Sequence, residues 1–223
     1  MQLDGEAAAA VESVVGLDPR RRVGNARGQR TRAVLVEAAA ACFSEYGYER
    51  TRIADIVGRA GVSQGNFYRH FESKREIFLD ALRPGLDALL QSSRRNGLQD
   101  QDDEKALVAV TITYLQTYSR HRHLLRVMRE AAAVRSDGFD EMWLRLRASF
   151  VSRTQAWLER LHAAGRIGDG DLAMLAEVLG AMVEQVAYVQ IGLPEKTPRT
   201  EEIARMGRAL GEVWHRALPP LTI

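Results

Sequence analysis

From Thr51 to Phe78 the chain reads TRIADIVGRAGVSQGNFYRHFESKREIF, and this spacing predicts two short helices joined by a tight turn. Ile53, Ile56, Val57 and Ala60 recur at three- and four-residue intervals; Thr51 stands where a cap is needed and Gly61 where the helix must stop. Ser63 then caps a second helix, whose Phe67 and Phe71, four residues apart, must face the protein. Gln64, Asn66, Arg69 and His70 are its polar members. A helix presented in this way fits a DNA major groove while its predecessor lies across the backbone.

The order Thr51, Asp55-Ile56, Ala60-Gly61-Val62-Ser63, Phe67-Tyr68, His70-Phe71 and Lys74 resembles the N-terminal domain of the tetracycline-repressor (TetR) family of bacterial transcriptional regulators. The close resemblance runs from the helix at 30–46 to the start of the helix after Ser73. The resemblance implies an all-α protein with a three-helix, helix-turn-helix DNA-binding domain and a larger helical domain for ligand binding and dimerisation. The expected division is a flexible basic arm over 1–27, the DNA-binding domain over 28–73 and the second domain over 74–223.

The same motif puts Tyr68, His70 and Lys74 near phosphates, contacts that position a domain without reading sequence. Gln64 can pair bidentately with adenine, Asn66 can do the same or bond a phosphate, and Arg69 can reach a guanine or the backbone. Arg52, at the start of the first short helix, and the capping Ser63 complete the expected DNA-facing set. Gly65 presents no side chain, so backbone and groove can approach closely at some cost in helix propensity. An ordinary helical hairpin with solvated polar residues is the competing reading of the short motif alone.

Charge follows the motif. The formal net charge is only +2, yet residues 20–83 hold 13 Arg or Lys against 7 acids, a local excess of +6. Arg20, Arg21, Arg22, Arg27, Arg30 and Arg32 all precede the next acid, Glu37. The arm therefore either supplies phosphate or minor-groove contacts or is a solvated tail. Cys42 is the sole cysteine, which excludes an internal disulfide and a cysteine zinc site, and fits a reducing cytoplasm and a role as small core filler. The first fifteen residues carry no basic side chain and lack the pattern of a secretory signal. Leu172 to Leu193 is strongly apolar, but Glu177, Glu184, Gln185 and Gln190 make it a buried interface helix rather than a membrane span.

Elsewhere the pattern is helical throughout. The first firm helix is expected over 28–46, with Leu35, Ala38 or Ala39, Cys42, Phe43 and Tyr46 as its apolar stripe and Gly47 as its end. Ser73 and Glu76 fit a capping box that opens a linking helix, with a kink or break expected at Pro84-Gly85. Further helices are expected over 102–119, 122–134, 137–165, 169–191 and 200–217, with a loop from Gly192 to Pro198.

An apolar pocket with a few polar groups is what the resemblance implies for the second domain; Tyr118, Trp143, Phe150 and Met182 are candidate walls, with Arg147 or Gln185 as a polar contact. Plain core is the competing role for each aromatic or methionine. No phosphate loop or nucleophile motif is present, and His121 and His123, two apart, point to different helix faces. The expectation is therefore no enzyme, no cofactor and no metal.

These readings converge on a cytoplasmic, ligand-responsive transcriptional regulator. It is expected to be a homodimeric repressor of a palindromic double-stranded operator, released by a small hydrophobic ligand. An all-α enzyme or lipid-binding protein with a vestigial helix-turn-helix is the alternative. Whether the ligand releases or promotes DNA binding is open from sequence.

Overall fold

A computed structural model describes residues 26–92 and 104–220, all of whose regular structure is helical. Apart from its last two residues, the basic arm lies outside the described residues. In order, the α-helices are α1 (Ala26–Arg50), α2 (Ile53–Ala60), α3 (Gln64–Tyr68), α4 (Lys74–Ser92), α5 (Glu104–Arg120), α6 (Arg122–Ala133), α7 (Phe139–Ala163), α8 (Leu172–Ala187) and α9 (Thr200–Arg216). A 3-10 turn, Ser136–Gly138, precedes α7, and a π-helical turn, Tyr188–Gly192, extends α8.

The helices fall into two compact units, residues 26–87 with 123–144, and residues 88–122 with 145–220. The unit that carries the short helices is thus larger than 28–73. The added segment is tied in by Phe139, fully buried with its ring 4.8 Å from Tyr48 and 5.3 Å from Phe78.

In the first unit, Leu35, Ala38, Ala39, Cys42 and Phe43 of α1 form the expected buried stripe, but Tyr46 does not join it. The helical backbone breaks at Gly47 (φ 79°, ψ 171°), a conformation open to glycine, and the break turns Tyr48 inward instead. Tyr48 stacks on Phe43 at 5.7 Å and is 3 % exposed, whereas Tyr46 is 37 % exposed. Thr51 is not the cap of α2. Arg52 holds that position, its N–H donating to Asp55 at 2.8 Å, while the buried Thr51 hydroxyl donates to Gly47 O at 2.7 Å and Cys42 O at 3.2 Å.

Ser73 caps α4 by accepting from Glu76 N–H at 3.1 Å, and the Glu76 carboxylate accepts from Glu72 N–H at 2.6 Å. α4 is not broken at Pro84. The proline is exposed, and Leu82, Leu86, Leu89 and Leu90 bury the opposite side, so packing holds the helix through a residue that cannot donate.

In the second unit α5 and α9 lie against each other with almost no space between backbones. A methyl group added to Gly207 would come within 2.5 Å of the Ile112 side chain and 2.7 Å of its Cα; at Gly211 it would come within 2.5 Å of Val108 Cα. Only glycine permits this approach. The Thr111 hydroxyl uses it, donating to Gly207 O at 2.6 Å. Trp157 and Trp214, both buried, lie 6.5 Å apart between α7 and α9.

Arg122, only 3 % exposed, donates to the carbonyls of Ile191, Pro194 and Glu195 at 2.8–2.9 Å. Those oxygens lie at and beyond the end of the π-helical turn, where a helix carries its negative dipole end. Hydrogen bonding there is what makes burial of a guanidinium tolerable, and it fixes the 192–195 loop.

Leu210 faces inward at 5 % exposure with Ile203 and Trp214. On α8 the inward set is Ala176, Leu179, Val183 and Ala187, while Met174, Val178, Ala181, Gln185 and Val189 are exposed. By length and composition residues 172–192 are long and apolar enough to cross a membrane, but Glu177 and Glu184 within them both pair with Arg147.

Candidate nucleic-acid interface

α2 and α3 meet at a turn whose chemistry is local. Gly61 adopts the left-handed conformation (φ 65°, ψ 31°), its N–H donates to Gly58 O, and Val62 N–H donates to Val57 O at 3.1 Å. This closes the carbonyls that α2 would leave open. Ser63 then starts α3, its hydroxyl accepting from Asn66 N–H at 3.2 Å. α3 is a single turn, so packing must hold it. Phe67 (0 % exposed) and Phe71 (1 %) do so, their rings 5.7 Å apart.

With that side buried, Gln64, Gly65, Tyr68 and Arg69 are exposed and Asn66 is half-buried. They form one continuous polar front. A methyl group on Gly65 would meet nothing within 4 Å in the protein, so the fold itself does not demand glycine there. Tyr68, 53 % exposed, stands edge-on to Phe67 at 5.4 Å with its hydroxyl free to reach outward.

The other expected DNA contacts are held less simply. His70 is half-buried, and burial first, then Arg32 and Arg69, hold its pKa below the usual imidazole range. At neutral pH it can therefore donate an N–H to a phosphate but adds no charge. Lys74 is turned toward the protein: its ammonium donates to Tyr48 O at 2.9 Å and lies 4.3 Å from the Tyr48 ring centroid. Carbonyls and a ring face do not neutralise it, so its positive potential persists beside the front. Arg52 shares a groove of about 670 Å³ with Glu45, Tyr46, Glu49, Arg50 and Asp55, and those three carboxylates weaken its pull on a phosphate.

Two arginines do the bracing: Arg32, counted from sequence among the basic run before Glu37, and Arg59, which sequence reading passed over. Arg32 donates to His70 O at 2.8 Å, pairs with Asp80 at 2.9 Å and covers the Phe71 ring at 4.1 Å, fixing the end of α3 to α1 and α4. Arg59 pairs with Glu45 at 2.7 Å and approaches the Cys42 sulfur at 3.8 Å, joining α2 to α1. Burial raises the Cys42 thiol pKa, which keeps it an inert core thiol. The spacing of Arg32 and Arg59 on their helices carries no mark of these contacts, which are made across the fold.

Residues 35–81, spanning α1 to the first half of α4, match the family model described as bacterial regulatory proteins, tetR family. Residues 35–81 belong to the tetR family. The "Probable acrEF/envCD operon repressor" of Escherichia coli strain K12 is 29% identical over 135 residues, 58% of this chain and 60% of that protein. The chain thus spans less than two thirds of that relative's length. The "HTH-type transcriptional regulator TtgR" of Pseudomonas putida is 35% identical over 94 residues, 41% of this chain and 42% of that one. The crystal structure of the TetR family transcriptional regulator PfmR from Thermus thermophilus superposes with a TM-score of 0.65 over 85% of this chain and 99% of its own, at 21% identity. That structural likeness extends the tetR fold through the second unit. The matched segment is therefore that of a tetR-family regulatory protein with its helix-turn-helix, and the chain as a whole has the fold of TetR-family structures.

The residues expected to line a ligand pocket are dispersed. Trp143 belongs to the first unit, where Arg129 lies 5.8 Å from its ring centroid; Tyr118, Arg147, Phe150, Met182 and Gln185 belong to the second. Tyr118 is buried with its hydroxyl against Gly192, and Phe150 meets Tyr114 edge-on at 6.1 Å. Arg147 is committed to Glu177 at 2.5 Å and Glu184 at 3.4 Å. Gln185 is exposed and Met182 half-buried. Among the described residues no cluster of His, Cys, Asp and Glu could hold a metal.

Proposed function

We propose that the chain is a homodimeric repressor that reads a palindromic operator with α3 and is released by a small hydrophobic effector bound in its helical second domain. The observation that carries this is the polar front Gln64, Gly65, Asn66, Tyr68 and Arg69, backed by two fully buried phenylalanines. Gln64 and Arg69 read bases; Tyr68, His70 and Lys74 bind or attract phosphates, with Arg52 and Ser63 at the margins. A five-residue reading helix spans only a few base pairs, and two-fold pairing multiplies both affinity and specificity.

The exposed α8 face supports the dimer. Met174 (58 % exposed), Val178 (53 %), Ala181 and Val189 (36 %) recur on one side of the helix, and apolar stripes of that length are costly in water. Val213 on α9, 45 % exposed, extends the surface; Leu210 does not, being used within the protomer. The name of the Escherichia coli relative supports repression as the sign of control. For the effector, Phe150, Tyr118 and Met182 supply apolar surface within the second unit, with Gln185 and Arg147 as polar partners.

Selection of duplexes from a random pool, followed by titration and light scattering of the complex, tests this. The expected result is a palindrome with half-sites about one helical turn apart, two chains per duplex and steep salt dependence. A protein that is one chain in mass at micromolar concentration, or that enriches no sequence, would refute it.

A further inference from the structure

The turn between α6 and α7 holds a backbone conformation that its own residues do not account for. Arg135 (φ 55°, ψ 35°) is left-handed where it ends α6, its N–H donating to Ala132 O at 3.1 Å, an ordinary helix-end device. Asp137 is left-handed as well (φ 45°, ψ 32°), and Gly138 follows at φ 72°. No helix end requires Asp137 to be so. A non-glycine residue stays in this region when surrounding contacts over-determine it.

Those contacts reach the junction that precedes the reading helices and the start of α4 that follows them. The Asp137 carboxylate accepts from the Tyr48 hydroxyl, and the Asp137 carbonyl accepts from Arg75 Nε at 2.9 Å. Phe139 closes against Tyr48 and Phe78, and Arg75 lies 5.7 Å from the Phe139 ring centroid. Tyr48 directly follows the Gly47 break, its carbonyl is held by Lys74, and Thr51 ties back to Gly47 O. Arg52, which starts α2, is the next residue. Asp137 thus grips Tyr48, the residue that directly follows the break and one of the side chains that anchor the α1–α2 junction.

From this arrangement we infer that Asp137 is a positioning residue for DNA reading: its strained turn latches Tyr48 and so fixes the angle at which α2 and α3 are presented. The inference rests on the DNA-reading role proposed above. Phosphate attraction depends on charge and survives release of the latch, whereas base reading depends on the angle and does not.

Four variants of the full chain test this: Tyr48→Phe removes only the hydroxyl, Asp137→Gly removes the carboxylate and relaxes the backbone, the double variant combines them, and Asp137→Asn keeps both an acceptor and tolerance of the left-handed region. Each is titrated with the duplex enriched by the unmodified protein and with a scrambled duplex. Amide exchange over 47–60 is measured without DNA. Either single change should weaken binding to the enriched duplex roughly five- to tenfold with scrambled binding unchanged, and the double variant should lose no more than the worse single one. Asp137→Asn should stay within about twofold of the unmodified protein. Exchange over 47–60 should quicken in Tyr48→Phe and Asp137→Gly and not in Asp137→Asn.

Unchanged affinity for the enriched duplex in Asp137→Gly, additive losses in the double variant, or equal losses on both duplexes would each overturn the positioning role while leaving DNA reading intact. An unmodified protein that enriches no sequence would overturn both, and unchanged exchange would remove the latch itself.

Discussion

The close approach of α5 and α9 at Gly211 makes a sharp prediction, because two effects of opposite sign compete there. Replacing Gly211 with Ala removes a poor helix former from α9 and by itself stabilises by about 0.5–1 kcal/mol. The new methyl group would lie 2.5 Å from Val108 Cα and 2.6 Å from Val108 N, atoms that no side-chain rotation can move. Ordinary contact begins at 3.4 Å, so α5 and α9 must part by roughly 1 Å, and forced separation of a packed core costs about 1–3 kcal/mol. At mid-range values, about 2 against about 0.75 kcal/mol, the separation term wins by roughly 1 kcal/mol. Gly207→Ala should cost more, because it also displaces the carbonyl that accepts the Thr111 hydroxyl, a bond worth about 1 kcal/mol. Gly58→Ala is the control, since an added methyl group there meets nothing within 4 Å on helix α2. Urea titrations followed by far-UV circular dichroism, at one fixed protein concentration, should place the midpoints in the order Gly58→Ala, unmodified, Gly211→Ala, Gly207→Ala. A Gly211→Ala midpoint at or above that of the unmodified protein would refute the close-packing argument.

Lys74→Ala should lower the salt slope of DNA binding by about one unit on every sequence alike, read by anisotropy across salt concentrations, whereas Gln64→Ala should change preference at one operator position. Because Lys74 also holds Tyr48 O, the same variant should melt earlier. Ala181→Asp on the exposed α8 face should yield a folded monomer in light scattering that loses operator affinity, while Leu210→Asp should fail to fold, since that side chain is core. His70 has a folded pKa below its unfolded value, so the unfolded chain takes up the proton first as pH falls. Stability should be full above about pH 6.5 and decline below it, and His70→Gln should flatten that part of the profile in thermal melts.

Much of this protein is governed by short-range rules that can be read along the chain. Val57 with Gly61, Ser63 with Asn66, and Phe67 with Phe71 are relations within four residues, and the α2–turn–α3 device follows from them because caps and helix faces depend on local spacing. The all-helical class and most helix limits follow from the same cause. Tertiary structure decided whatever needed a partner distant in sequence. Periodicity puts Tyr46 on the α1 stripe and Tyr48 off it, and only the Gly47 break and the rings of Phe78 and Phe139 turned Tyr48 inward. Thr51 gave up capping because carbonyls of α1 came within reach, and Pro84 stayed helical because leucines packed on its far side. Leu210 and Val213 look alike on a helical wheel, yet one is core and the other exposed. The tie from Asp137 to Tyr48 spans 89 positions, and no periodicity can register such a contact. Spacing states which residues share a face; which face finds a partner is settled only when distant helices meet.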